Sequence, residues 1–99
     1  MAVKVFIKRS VPEHKAESLK PLLKKLRNLA MEQPGYISSE TLRSLDDKDQ
    51  ILVVSMWESM EAWEAWKNSD ARKDNVAEFK DYMSGETEYE HYSLGLPIS

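Results

Sequence analysis

Apolar and polar positions change their spacing several times along the chain, and each change marks an element. Residues 2–9 are rich in β-branched and apolar types, with Val3, Val5 and Ile7 on one face and Ala2, Lys4, Phe6 and Lys8 on the other, which predicts a strand. A turn at Ser10-Val11-Pro12-Glu13 leads into Leu19, Leu22, Leu23, Leu26, Leu29 and Ala30 at spacings of three and four. That is the buried stripe of a helix, and Lys20, Lys24, Lys25 and Arg27 lie mostly on its solvated side. Pro21 lacks an amide donor and crowds the preceding turn. Either Ser18 caps the main helix and Pro21 sits in its first turn, or a longer helix kinks there, the reading preferred here.

Gln33-Pro34-Gly35 stops this helix, and a second strand runs from Tyr36 to Leu45. Asp46-Asp47-Lys48-Asp49 supplies turn-forming side chains between two strand-like runs, so the second and third strands are expected to form a hairpin. The third strand, Ile51 to Trp57, breaks the alternation of a sheet with one wet face, because both parities are apolar apart from Ser55. Ser59 caps a short helix, Asn68-Ser69-Asp70 interrupts it, and a second helical segment runs from Ala71 to about Met83, with Val76, Phe79, Tyr82 and Met83 on one side. Ser84-Gly85 closes that segment, a fourth strand spans about Glu86 to Leu94, and Gly95 to Ser99 form an apolar tail.

Strand, helix, hairpin, helix, strand is the split βαβ order of a ferredoxin-like α+β fold. A four-stranded antiparallel sheet is expected, with the first and third strands central and both helices on one face. The other face then needs a cover. Each Ile, Leu, Val or Met contributes roughly 1.5–3 kcal/mol when buried, against a net stability of only about 5–15 kcal/mol. The expected solution is a homodimer packed sheet against sheet, with Leu94, Leu96 and Ile98 of the tail either on the partner or frayed.

At 99 residues the chain fits one domain, spanning 1–99. Its charge of -3, with both signs interspersed, suggests no nucleic-acid or membrane partner. The absence of cysteine excludes a disulfide framework, thiolate metal sites, iron–sulfur clusters and a cysteine nucleophile. The first residues lack the apolar core of a signal peptide, so a cytoplasmic protein is expected. His14 and His91 show no metal-ligand spacing, and no metal or other cofactor is expected.

Gln33-Pro34-Gly35-Tyr36, then Glu40-Thr41-Leu42-Arg43, Trp57-Glu58-Ser59 and Trp63-Glu64-Ala65-Trp66 resemble the antibiotic biosynthesis monooxygenase (ABM) family of dimeric α+β barrels, and the resemblance covers nearly the whole chain. It implies a pocket between the helices and the sheet of one subunit. It also implies an oxygenase working without metal or flavin on a small aromatic, polyketide-like compound; the alternatives are a non-catalytic ligand-binding or stress-related module and a haem-binding or haem-degrading protein. Trp66 matches a tryptophan of the haem-degrading branch, but that branch's asparagine and iron-ligating histidine are absent from Phe6-Ile7-Lys8-Arg9 and Arg72-Lys73-Asp74-Asn75-Val76. Other members carry histidine where Trp66 and Arg72 stand here.

The pocket candidates are Phe6, Trp57, Trp63, Trp66, Phe79 and Met83, with Tyr82 beside them. Core packing competes with a pocket role for Trp57 and Trp63, since aromatic stripes at helical spacing usually fill cores. A metal-free oxygenase needs a deprotonated, electron-rich substrate in an apolar cavity. Trp66, Arg72, Tyr82 and His91 are the catalytic candidates, and Asn68 could help orient a phenol. Arg72 is expected at the surface, paired with Asp70 or Glu78, unless it holds an anionic substrate. Glu86, Glu88 and Glu90 read as one solvated face.

Overall fold

The computed structural model describes residues 1–95, so the tail positions Leu96 and Ile98 lie outside the described residues. Strand β1 (Val3–Ser10) leads through a short 3-10 turn (Glu13–Lys15) into helix α1 (Ala16–Met31), and β2 (Tyr36–Arg43) and β3 (Gln50–Trp57) follow. Helices α2 (Met60–Lys67) and α3 (Asp70–Ala77), a 3-10 turn (Glu78–Asp81) and β4 (Ser84–Ser93) complete the order. The four strands form one antiparallel sheet in the order β2-β3-β1-β4, with β1 and β3 central. The fold is the ferredoxin-like α+β arrangement that the element order implied.

Helix α1 is continuous through Pro21, so the longer helix forms, and Ser18 lies within it rather than capping it. Pro21 is the sixth residue of the helix, so one interior bond, to the Glu17 carbonyl, is missing there. At the other end Gly35 takes φ +86, and a Cβ built on it would lie 2.5 Å from the Ala62 Cβ. This chain reversal therefore needs glycine twice, for its backbone angle and for its contact with α2. Its carbonyl accepts the Glu58 amide at 2.8 Å, which ties the start of the hairpin to its end.

The β2–β3 turn is held by side chains bonding local backbone. Ser44 Oγ accepts the amides of Asp46 and Asp47, and Asp47 Oδ1 accepts that of Asp49. Asp49 then reaches across to the start of the helical layer, its carbonyl and carboxylate taking the amides of Val11 and Glu13.

Register assigns every strand residue to a face. Val3, Val5, Ile7 and Arg9 lie opposite Trp57, Ser55, Val53 and Ile51, and Val5 and Ile7 lie opposite His91 and Tyr89. These residues face the helices. Lys4, Phe6, Lys8, Leu52, Val54, Met56, Glu88, Glu90 and Tyr92 share the opposite face, which no helix covers. Two apolar clusters fill the helix side. One joins Val3, Val5, Ile7, Ala30, Trp57, Trp63 and Trp66, and the other joins Val11, Ala16, Leu19, Ile51 and Phe79.

Candidate active site

Helices α2 and α3 are two pieces of one path, and the break between them builds the site. Ser59 caps α2, its Oγ accepting the Ala62 amide, and the first piece carries Trp63 and Trp66 inward. Ser69 then caps α3 by accepting the Arg72 amide at 3.2 Å, while its hydroxyl donates to the Trp66 carbonyl at 2.7 Å. One serine thus sets Trp66 and Arg72 relative to each other.

The three tryptophans meet in one stack. Trp57 lies 6.1 Å from Trp63 and 6.5 Å from Trp66, the latter pair nearly parallel at 23°. Tyr36 stands edge-on to Trp57 at 5.5 Å, and Trp57 Nε1 donates to Ser55 Oγ at 3.2 Å. Ser55, the one polar position facing inward on β3, therefore satisfies a buried indole.

Next to this stack lies a cavity with about 480 Å³ of atom-free space, its mouth included. The part wide enough for the centre of a water molecule is about 50 Å³, room for about three to five waters at roughly 10–15 Å³ each. It is a narrow slot. Its walls are Ile7, Val53, Trp57, Trp63 and Trp66 on one side and Leu23, Leu26 and Ala30 of α1 on the other, with Tyr36, Ser39 and Thr41 at the β2 edge. Three arginines line it as well: Arg9, Arg27 and Arg72.

Arg72 is only 4% exposed, which corrects the expectation of a surface ion pair with Asp70 or Glu78. Its Nη2 donates to the Tyr89 hydroxyl at 3.1 Å, and its guanidinium lies 5.3 Å from the Trp63 ring centre and 5.6 Å from that of Tyr89. Aromatic faces, rather than carboxylates, surround this cation.

Arg9 is more deeply buried, at 2% exposure, with its guanidinium 4.9 Å from the Phe79 ring centre. Its Nε and Nη2 have no hydrogen-bond partner, nor does the Nε1 of Trp63. Burial, then the nearby positive charge of Arg72, lowers the Arg9 pKa from 12.5 to about 10, and it stays cationic at neutral pH. The sequence reading passed over Arg9, although the inward parity of Val3, Val5 and Ile7 extends to it.

The remaining candidates are dispersed. Phe6 is on the uncovered face of the sheet, 5.0 Å from Tyr92. Phe79 belongs to the second apolar cluster, with Tyr82 and Met83 packed against it, and none of the three lines the cavity. Asn68 is exposed. His91 is exposed too, with its ring 6.3 Å from Trp63, and it does not line the slot. Glu88 and Glu90 lie on the uncovered face, where Lys8 pairs with Glu90 at 2.7 Å, raising the lysine pKa and lowering that of the carboxylate. Among the described residues no group of three or more His, Asp or Glu side chains could hold a metal ion, and no helix is long and apolar enough to cross a membrane.

The profile of the antibiotic biosynthesis monooxygenase family matches residues 2–83. A 42.8 kDa protein of the whiE locus of Streptomyces coelicolor is 30% identical over 74 residues, which is 75% of this chain and 19% of that protein. The chain therefore spans about a fifth of the length of that relative. Among solved structures, a conserved protein from Methanosarcina mazei Go1 superposes with a TM-score of 0.84 at 21% identity, covering 93% of this chain and 91% of that one. SnoaB, a cofactor-independent oxygenase from Streptomyces nogalater, superposes with a TM-score of 0.79 at 13% identity, covering 98% and 96%. At these identities the superpositions establish the fold.

Proposed function

The chain belongs to the antibiotic biosynthesis monooxygenase family, and from that premise we propose that it is a cofactor-independent monooxygenase acting on a small hydroxyaryl compound. The observation that carries this reading is a tryptophan-walled slot into which two buried arginines project. The indoles sandwich a planar ring. The guanidinium charges, in a site screened from water, stabilise the phenolate over the phenol and so lower the pKa of a bound hydroxyl. Among the described residues no carboxylate or imidazole lines the slot, so the proton departs to solvent rather than to a positioned base.

The electron-rich phenolate then passes an electron to dioxygen, and the two radicals combine through a ring carbon. Loss of water from the resulting hydroperoxide leaves a quinone carbonyl. One oxygen atom stays on the ring and the other leaves as water; the ring carbon gives one hydrogen of that water and a proton taken back from solvent gives the other, balancing the hydroxyl proton released earlier. The apolar walls keep the intermediate from bulk water.

An oxygen electrode tests this with a panel of naphthols, anthrones and hydroquinones. Saturable uptake of one dioxygen per quinone formed is expected, with one labelled atom entering the quinone from labelled dioxygen. Uptake no faster than without protein, for every member, overturns the reading. The lack of a base in the slot supports a second reading, sequestration of the same ligands without turnover, and binding without oxygen uptake would identify it.

The reading includes a homodimer. Phe6, Leu52, Val54 and Met56 are only half-buried on the uncovered face, and Leu42 and Tyr92 are 45% and 49% exposed. A second copy placed face to face covers the same apolar patch twice.

A further inference from the structure

A singly charged phenolate accounts for one of two buried cations. Among the described residues the ion pairs are Lys8–Glu90 and Lys20–Glu17, neither of which involves Arg9 or Arg72, and no Asp or Glu lines the slot. Buried charges in proteins are normally paired or neutralised, so a second anionic group is missing.

The free atoms of Arg9 indicate its shape. Nε and Nη2 share one edge of the guanidinium, the edge that presents two parallel N–H groups to a carboxylate. Both are unpartnered, while the guanidinium carbon lies 4.9 Å from the Phe79 ring centre. Arg72 is used differently, with Nη2 already donating to Tyr89 and its guanidinium over the rings of Trp63 and Tyr89. Arg9 thus offers a fork, and Arg72 offers a charge beside a hydroxyl.

We propose that the slot takes a hydroxyaryl carboxylate, with its carboxylate held side-on by Nε and Nη2 of Arg9 and its ionised hydroxyl turned to Arg72 and Tyr89. The ring lies among Trp57, Trp63 and Trp66. The enclosed space of about 50 Å³ is well below the usual range of about 300–1,000 Å³ for ligand pockets, so a ring enters only as the walls part. Nε and Nη2 are closed to water in the free chain, so the half-buried Leu23 and Leu26 of α1 part as the acid binds. The proposal rests on the slot being the substrate site and is independent of the oxygen chemistry.

Isothermal calorimetry on the full chain tests it with a hydroxynaphthoate, its methyl ester, and naphthol. The acid is expected to bind about tenfold tighter than the ester, the scale of a charged hydrogen-bonded contact. Arg9→Gln is expected to erase that preference, costing the acid about tenfold more affinity than it costs the ester or naphthol, and Arg9→Lys, which keeps the charge without the fork, to retain part of it. Equal binding of acid and ester by the wild-type chain overturns the proposal even if no variant folds. So does an Arg9→Gln variant that loses naphthol and acid equally, because Arg9 would then only be supporting the walls. A tightly bound acid that consumes no oxygen sinks the oxygenase reading and leaves this one standing. Oxidation of naphthol without any preference for the acid does the reverse.

Discussion

The two faces of the sheet leave opposite needs unmet. The face under the helices is sealed and aromatic, yet it buries Arg9 and Arg72 with no acid beside them. The outer face carries Phe6, Leu52, Val54 and Met56, yet none of the described elements covers it. On the inner face the missing partner is a charge, and on the outer face it is area. Burying a cation without compensation costs several kcal/mol, and so does leaving several large aliphatic side chains wet. Both costs are drawn from a net stability that is only about 5–15 kcal/mol for a domain.

The outer face is the easier of the two to break. Val54 sits on central strand β3, so Val54→Asp would place a carboxylate in the middle of a sheet-to-sheet contact, once from each subunit. Wild-type protein is expected to sediment as a dimer at low micromolar concentration, and the variant to dissociate at least about a hundredfold more readily. A wild-type monomer at that concentration would remove the basis of the comparison.

The inner face is expected to respond in the opposite direction, with the free protein gaining stability when its charge is removed. Arg9→Met keeps an apolar stem and deletes the buried cation. With the pKa lowered from 12.5 to about 10, the charged form is disfavoured in the fold by up to about 3 kcal/mol at 1.36 kcal/mol per unit, and the lost contact with Phe79 offsets part of that gain. Well below pH 10, Arg9 is charged in both the folded and unfolded chain, and the burial cost is at its full value. Between about 10 and 12.5 the folded chain releases the proton first, so wild-type stability rises with pH and the advantage of the variant shrinks. Urea unfolding of both proteins at about pH 7 and about pH 11 would show it, and an Arg9→Met protein less stable at neutral pH would contradict it.

A smaller effect on the same face comes from Ser55→Ala. It strips the acceptor from Trp57 Nε1 inside the core, and a loss of about 1–3 kcal/mol is expected in the same unfolding assay.

The fold was legible because its signals are local. The leucine spacing of α1, the turn residues after Ser44, the cap at Ser59 and the break at Asn68-Ser69-Asp70 each act within a few residues, and each acts in the structure. The slot was harder to read because its polar members are made by contacts distant in sequence. Arg72 reads as a surface residue among Asp70, Lys73 and Asp74, and it is buried only because Tyr89, seventeen residues on, returns beside it. Tyr89 was itself hidden by the acidic alternation of Glu86, Glu88 and Glu90, which drew attention to the other parity. Arg9 was the readable omission. Counting two further from Ile7 puts it inward, but the basic pair Lys8-Arg9 at a strand end looks like solvated punctuation. Phe6 shows the reverse error, an aromatic on the correct strand with the wrong parity for the slot.

The tryptophan stack has an optical consequence. The chain has three tryptophans, and all three line the slot. With Trp57 lying 6.5 Å from Trp66 at 23°, their transitions couple, and no distant indole adds background light. Tryptophan emission and the tryptophan bands of the near-ultraviolet dichroism of the unlabelled chain therefore originate at the slot, so its occupancy can be followed in real time without a dye or tag.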